Sequence, residues 1–263
     1  MINKQDHTFA VCAYKESPYL DECVKSVLEQ TINTRVIICT STPNEHIQAT
    51  ANQFGIPLFV NESKPGIASD WNFAIKTANT ALVTIAHQDD IYCCDYAEHM
   101  INAIDNSQRP LLFFTNYGEL RNNKKVADNN LLRTKRRLLR KLENSNNAFD
   151  KKIRKRALSL GSAICCPSVT LAVDNISKPV FQTKLKSNLD WEAWSRIAEL
   201  DGDFLYDPEI LMYHRIHEGS ETSALIKDNT RTEEDLEMLK RFWPTPIARA
   251  INVIYSRGQN SNS

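Results

Sequence analysis

Within the first 120 residues, short continuous apolar runs alternate with stretches of helical period, and no other feature restricts the fold as much. TFAVCAY (8–14), RVIICT (35–40), PLFV (57–60), ALVTIA (81–86) and RPLLFFTN (109–116) predict strands. Between them, Tyr19-Leu20, Cys23-Val24 and Val27-Leu28 recur at helical spacing over 18–30, with Pro18 in the first turn. A second helix is expected over 43–54, opened by Pro43 and closed by Gly55. A third covers 66–79, with Ile67, Trp71, Ala74, Ile75 and Ala78 on one face. Strands without polar alternation, joined through helices, form a mainly parallel sheet covered on both sides. The ligand crevice of such a sheet lies beyond the carboxyl ends of its strands. That rule gathers three loops: Tyr14-Lys15-Glu16, Thr40-Ser41-Thr42, and His87-Gln88-Asp89-Asp90.

At 263 residues the chain can bury one large α/β domain with an appendage. No apolar run approaches the roughly 20 residues of a membrane span, and Glu16 and Pro18 interrupt the start too early for a signal-peptide core. Seven cysteines include the pairs Cys93-Cys94 and Cys165-Cys166 but no CxxC, so free thiols and a cytoplasmic location are expected. The net charge of +0 is unevenly spread: residues 121–156 hold 14 Lys or Arg against Asp128, Glu143 and Asp150, which is +11, leaving −11 elsewhere. Leucines 131, 132, 138, 139 and 142 predict a cationic amphipathic helix there, and a second basic piece follows the Asn-rich break at 144–147. Two readings fit this segment, a solvated insertion or an element for an acceptor or a membrane surface. Phe149 is its only aromatic residue, which argues against nucleic acid as the partner. Globular character returns in GSAICCPSVTLAV (161–173), a helix beginning at LDWEAWSRIAEL (189–200) and a strand in PEILMYHRIH (208–217). Helices are expected on both sides of Pro244 and Pro246, with a frayed QNSNS end.

Three constellations could carry chemistry. Asp89 and Asp90 either offer oxygen ligands to a hard cation such as Mn2+ or Mg2+, or cap the helix that follows. Asp190 opens an amphipathic helix between Leu189 and Trp191, as a general base toward a hydroxyl or as a helix cap. His214, Arg215 and His217 either complete a metal shell and neutralise a departing diphosphate, or are polar residues at a strand end. Neither GxGxxG nor GxxxxGK[ST] occurs.

Four blocks in order, FAVCAYKESPYLDECVKSVLEQT, GIASDWNFAIKTANTALVTIAHQDDIY, LDWEAWSRI and YHRIHEGSET, resemble a family 2 glycosyltransferase of the GT-A type over about residues 8–120 and 160–223. The resemblance implies a GT-A, Rossmann-like sheet flanked by helices. It implies a domain over 1–223, with 1–120 binding the nucleotide sugar, 121–156 a basic helical insertion and 157–223 the acceptor part; 224–263 form a helical extension. By position, Ala13, Tyr14, Glu16, Thr40, Ser41, Asp70, Trp71, His87, Gln88, Asp89 and Arg215 would meet the nucleotide sugar. Asp89, Asp90 and His217 would hold a divalent cation (Mn2+ or Mg2+), and Asp190 would be the catalytic base. Three positions depart from the family: His87 stands for the first acid of D-x-D, Thr40-Ser41-Thr42 replace an acidic pair, and Trp71 replaces an arginine. The implied activity is inverting transfer from a nucleoside-diphosphate sugar to a glycan or lipid-diphosphate-linked acceptor in bacterial polysaccharide (capsule or O-antigen) synthesis. The enzyme would be cytoplasmic or peripheral on the cytoplasmic face of the membrane. A nucleotidyltransferase and an anionic-polymer-binding protein are the alternatives. The first should carry a glycine-rich phosphate loop near its N-terminus, and the seven glycines form none.

Overall fold

A computed structural model describes residues 4–64, 66–182, 184–217 and 230–260. The side-chain alternation of the first strand, β1 (His7–Ala13), sets the layering. Phe9, Val11 and Ala13 join one buried cluster with α1 (Leu20–Leu28), α2 (Glu45–Phe54) and α4 (Tyr96–Asp105). Ala10 joins the opposite cluster with α3 (Ile67–Ala78) and α7 (Leu189–Ile197). Gly55 closes α2 at φ +63°, a conformation that suits a residue without a Cβ. These boundaries lie within a few residues of those the periodicity predicts.

The other strands are β2 (Arg35–Thr40), β3 (Leu58–Val60), β4 (Leu82–His87), β5 (Ile91–Tyr92), β6 (Pro110–Arg121), β7 (Lys124–Val126), β8 (Val169–Ala172) and β9 (Asp203–Ile216). They form one sheet in the order β3-β2-β1-β4-β8-β6-β9-β5, with β7 paired to β6. The pairs β1–β2, β1–β4, β2–β3 and β6–β9 are parallel, whereas β8 runs against both β4 and β6. The sheet is therefore mixed, parallel through its first four strands and reversed at β8. That reversal matters for the site. Thr84 faces Thr170, so the turn that precedes β8, with Cys165 and Cys166, stands level with the end of β4 at His87.

The basic segment departs from the expected helices at its start. β6 continues through Arg121, and a turn with Asn122 and Asn123 at φ +49° and +60° leads into β7. Two consecutive asparagines in left-handed conformation are a hairpin signature. Then come α5 (Asn130–Leu139) and α6 (Lys151–Leu158). Leu132, Leu139 and Leu142 are buried in the two core clusters, so the apolar stripe of α5 faces the protein's own interior. Even Arg154 is buried, donating to the carbonyls of Gly202 and Leu200 at 2.9 Å each.

Two helices, α8 (Thr230–Lys240) and α9 (Thr245–Asn260), end the described chain, and Met238, Leu239 and Ala248 join the α3/α7 cluster. The expected boundary at 223/224 and the end after 260 lie outside the described residues. No helix among the described residues is long and apolar enough to cross a membrane. All seven cysteines are free thiols.

Candidate active site

The ends of β1, β2 and β4 lie side by side because Ala13 pairs with Thr40 and Cys12 with His87. Beyond them, the Gln88 side chain closes on the first loop as a strand would: Tyr14 N–H donates to Oε1 at 2.9 Å and Nε2 donates to the Tyr14 carbonyl at 3.0 Å. Lys15 takes a left-handed conformation at φ +54°, and its N–H donates to Thr42 Oγ1 at 2.6 Å. The Tyr14 ring and Glu16 are left exposed over this clamp. On the other side Asp70 is held by Ser41 Oγ at 2.8 Å and Asn61 Nδ2 at 2.7 Å, so a carboxylate from α3 stands where β2 ends. Thr40 is buried, and its hydroxyl accepts from Thr42 N–H at 3.0 Å. Next to Asp70, the Trp71 indole stacks on His87 at 5.1 Å and 17°. Burial, and then the charge of His214, lowers the His87 pKa against the pull of Asp90 and Asp89, so a neutral ring stands in place of an acid.

The two adjacent acids that close β4 turn opposite ways. Asp89 is part-exposed; Ser17 Oγ donates to its Oδ1 at 2.7 Å and His217 Nε2 lies 3.1 Å from Oδ2. Asp90 is fully buried, and its Oδ1 accepts from His214 Nδ1 and from Arg215 N–H, both at 2.9 Å. Burial works against the Asp90 carboxylate, but the His214 imidazolium and these hydrogen bonds win, holding Asp90 below and His214 above their ordinary values. Asp90, expected to join Asp89 and His217 around a cation, is buried behind Asp89, and its Oδ1 fastens β9 to the β4 loop. Arg215, expected to meet the nucleotide sugar, follows on the same strand. Its guanidinium donates to the Asp89 carbonyl, Asn123 and Glu22 and lies 4.1 Å over the Tyr19 ring, so it braces the loop from beneath.

Asp89 with His217 suits a hard cation. Two cis ligands at the roughly 2.1 Å typical of Mg2+ lie about 3 Å apart, close to the observed Nε2–Oδ2 spacing, and both donor atoms are acceptable to Mn2+ or Mg2+. Among the described residues, no group of three or more His, Cys, Asp or Glu side chains converges for a metal, so remaining ligands would come from a diphosphate and water.

Asp190 occupies the first turn of α7, half-buried, with Oδ1 accepting from Trp191 N–H at 2.7 Å and Ser162 Oγ at 3.5 Å from Oδ2. Burial raises its pKa, while the Trp191 amide, Arg231 and Lys135 act in the opposite direction. The turn before β8 links Asp190 to the β4 loop: Ser162 Oγ lies 3.5 Å from Asp190 Oδ2, and Tyr92, just past the loop, donates from its hydroxyl to the Pro167 carbonyl at 2.6 Å. Loop and helix start are thus joined through the short segment 162–167.

Several residues at this site were not singled out in the sequence. Lys135 Nζ donates to Tyr117 OH at 2.8 Å, and the Tyr117 ring meets His214 edge-on at 6.5 Å. The lysine's charge reaches Asp190, His214 and Cys165. Its signal is readable afterwards: residues 132, 135 and 139 share one helical face, so a cation sits on the inward stripe of α5 between two buried leucines. Ser17 and Asn61 reach the site through contacts that no spacing in the sequence announces.

The sequence model of glycosyl transferase family 2 matches residues 8–172, well over half of the chain. The chain belongs to glycosyl transferase family 2. The family assignment makes it a glycosyltransferase with a GT-A fold and sets aside the nucleotidyltransferase reading. No curated protein matches the chain by sequence. Solved structures similar to this glycosyltransferase include Staphylococcus aureus TarS 1–349, at 14% identity and TM-score 0.58 over 94% of this chain and 69% of that one. The same protein in complex with UDP-GlcNAc aligns at 16% identity and TM-score 0.59, over 94% of this chain and 70% of that one. A mannosyltransferase from Pyrobaculum calidifontis in complex with GDP-Man and Mn2+ aligns at 13% identity and TM-score 0.61, over 95% and 69%. At such identities the likeness establishes the fold.

Proposed function

We propose that this glycosyltransferase moves a sugar from a nucleoside diphosphate to a hydroxyl of a glycan or lipid-linked acceptor, with inversion, in a single displacement. The observation that carries the reading is the segment 162–167, which meets Asp190 through Ser162 Oγ at 3.5 Å and, through the Pro167 carbonyl, accepts from Tyr92 OH at 2.6 Å just past the β4 loop that holds Asp89. Asp190 accepts the acceptor's proton as the new O–C1 bond forms and the C1–O bond to the diphosphate breaks. Its carboxylate is oriented by Trp191 N–H, and its raised pKa makes it a better base than an exposed aspartate.

The donor lies across Ala13, Tyr14 and Glu16, with Thr40, Ser41 and Asp70 at the nucleoside end and the Trp71–His87 stack and Gln88 beneath. Asp89 and His217 would hold a divalent cation, which when bound would stabilise the charge on the departing diphosphate. Lys135 adds a fixed positive charge from the side of α5. In this scheme 1–120 is the donor half and 157–223 the acceptor half, and the place of work is the cytoplasm or the cytoplasmic membrane face, in polysaccharide synthesis. Two neighbouring structures hold nucleotide sugars, one of them with Mn2+, which supports both the donor class and the cation.

The test is a calorimetric and hydrolysis screen of nucleoside-diphosphate sugars with and without Mn2+. At least one donor should bind in a metal-dependent way, and Asp89→Ala should weaken that binding by tenfold or more. No donor bound under any condition, or full affinity retained in the variant, would remove the assignment of Asp89.

A further inference from the structure

The ends of the first three strands stand abreast, Ala13 pairing with Thr40 and Thr40 with Val60. The next residues of β2 and β3, Ser41 and Asn61, both reach across to Asp70 in the first turn of α3. Ser41 Oγ donates to Oδ2 at 2.8 Å, and Asn61 Nδ2 donates to Oδ1 at 2.7 Å. Thr40-Ser41-Thr42 holds no acid of its own, so the carboxylate at this end of β2 comes from α3.

Asp70 is half-buried, and among the described residues no Lys, Arg or His pairs with it. A carboxylate offers about four lone-pair sites and has no proton to give. One bond to each oxygen, from a neutral donor in both cases, leaves acceptor capacity on each. An acid in a first helical turn is favourable in itself, and these two bonds also brace two loops. Neither role uses the remaining lone pairs.

Position decides what can use them. Asp89 follows β4, whereas Asp70 is gripped between β2 and β3, two to three strand spacings away in the order β3-β2-β1-β4. At about 4.8 Å per spacing that is roughly 10–14 Å. A nucleoside diphosphate with its phosphates at Asp89 sets its ribose within that span and the edge of its base at the far end. The exposed Tyr14 ring, after β1, lies along the way. We propose that Asp70 selects the donor's nucleobase by accepting from a ring N–H, the N3–H of uracil or thymine or the N1–H of guanine. Cytosine and adenine carry a lone pair at the matching ring nitrogen, which would face the carboxylate unpaired. Guanine would engage both oxygens through N1–H and its amino group, uracil or thymine only one. The proposal rests on the reading of this site as one for a nucleoside-diphosphate sugar.

The test is calorimetric binding of UDP, dTDP, GDP, CDP and ADP to the intact chain with Mn2+. UDP, dTDP or GDP should bind at least tenfold more tightly than CDP and ADP, and the tightest of the three identifies the base. Methylating its ring nitrogen, at N3 of uracil or thymine or at N1 of guanine, should cost tenfold or more. In Asp70→Asn that methyl penalty should shrink to less than threefold. The gap to CDP or ADP should close by at least tenfold, because an amide presents one N–H beside one carbonyl. Affinity for CDP or ADP held or raised in the variant also reports that it is folded; should it not fold, the methylated bases decide on the wild type alone. Tightest binding of CDP or ADP, no penalty for methylation, or an equal loss of all five diphosphates in the variant would overturn the proposal. A penalty for 2′-deoxy nucleotides that disappears in the variant would move Asp70 to the ribose and overturn it too. Tight binding without base preference removes the role of Asp70 and leaves the donor reading standing, whereas no diphosphate bound with or without Mn2+ removes both.

Discussion

Asp190 joins activity and stability with opposite signs. Its pKa is raised in the folded state, so between its unfolded and folded values the native protein holds the extra proton, and stability falls as pH rises through that window. At neutral pH the ionised carboxylate is a net cost, one that the proposed role as base requires. Asp190→Asn should therefore lower kcat by about 10²–10⁴-fold with donor affinity intact, while leaving Tm equal or higher. The acid limb of the wild-type kcat/KM profile should lie above the ordinary carboxylate range. Steady-state kinetics across pH, with thermal melts of both proteins, check all three. Lys135→Met, removing a charge held on Tyr117, should reduce kcat by about tenfold or more, with Lys135→Arg recovering part of it. A Met variant with normal kcat would confine Lys135 to packing. At this scale legibility is uneven. Asp89 follows directly from a strand that ends on an acid. Asp90 reads the same in sequence, and only the pairing of β9 with β5, which brings His214 and Arg215 N–H opposite, turns it inward.

Among the elements, α7, which carries the proposed base, is held by a distant partner. Its N-cap residue Asn188 makes no side-chain cap, yet the carboxylate of Glu234 on α8 accepts from Lys186 N–H at 2.7 Å, Ser187 N–H and Oγ at 2.8 Å, and Asn188 N–H at 3.1 Å. Asp235 adds a bond from Asn188 Nδ2 at 2.8 Å. The C-terminal extension thus fixes the turn that aims Asp190. Burial opposes the charge on Glu234 but these donors lower its pKa, so the stability it supplies is present above the unfolded value and lost as pH falls through the folded one. Glu234→Ala should cost about 1.5–3 kcal/mol, the usual worth of hydrogen bonds to a charged group, and should lower kcat more than donor affinity. Denaturant unfolding with paired kinetics measures both; unchanged stability would mean that α8 merely covers α7. The helices and parallel strands were legible because period and apolarity are local properties. The hairpin at Asn122-Asn123 and the Glu234 cap were not, the first hidden in a basic run and the second spanning more than forty residues.

On the scale of the whole molecule, the +11 carried by 121–156 and the −11 elsewhere leave a neutral protein with its cations concentrated in one segment. Their field attracts anionic surfaces over distances comparable to the Debye length, about 10 Å at 0.1 M salt, and fades as salt is added. Insertion into a bilayer requires something else, an apolar face free to leave the protein. In α5 that face is already committed, since Leu132 and Leu139 lie in the two core clusters and Leu142 follows them inward. What α5 and α6 present outward is charge. Association with membranes should therefore be purely electrostatic: co-sedimentation with vesicles containing anionic lipid at low salt, its loss at about 0.3 M salt, and none with neutral vesicles under either condition. Binding to neutral vesicles, or binding that survives high salt, would require the α5 leucines to exchange their core contacts for lipid. Hydrogen exchange in α5 would then rise on vesicle addition, whereas electrostatic contact leaves it unchanged.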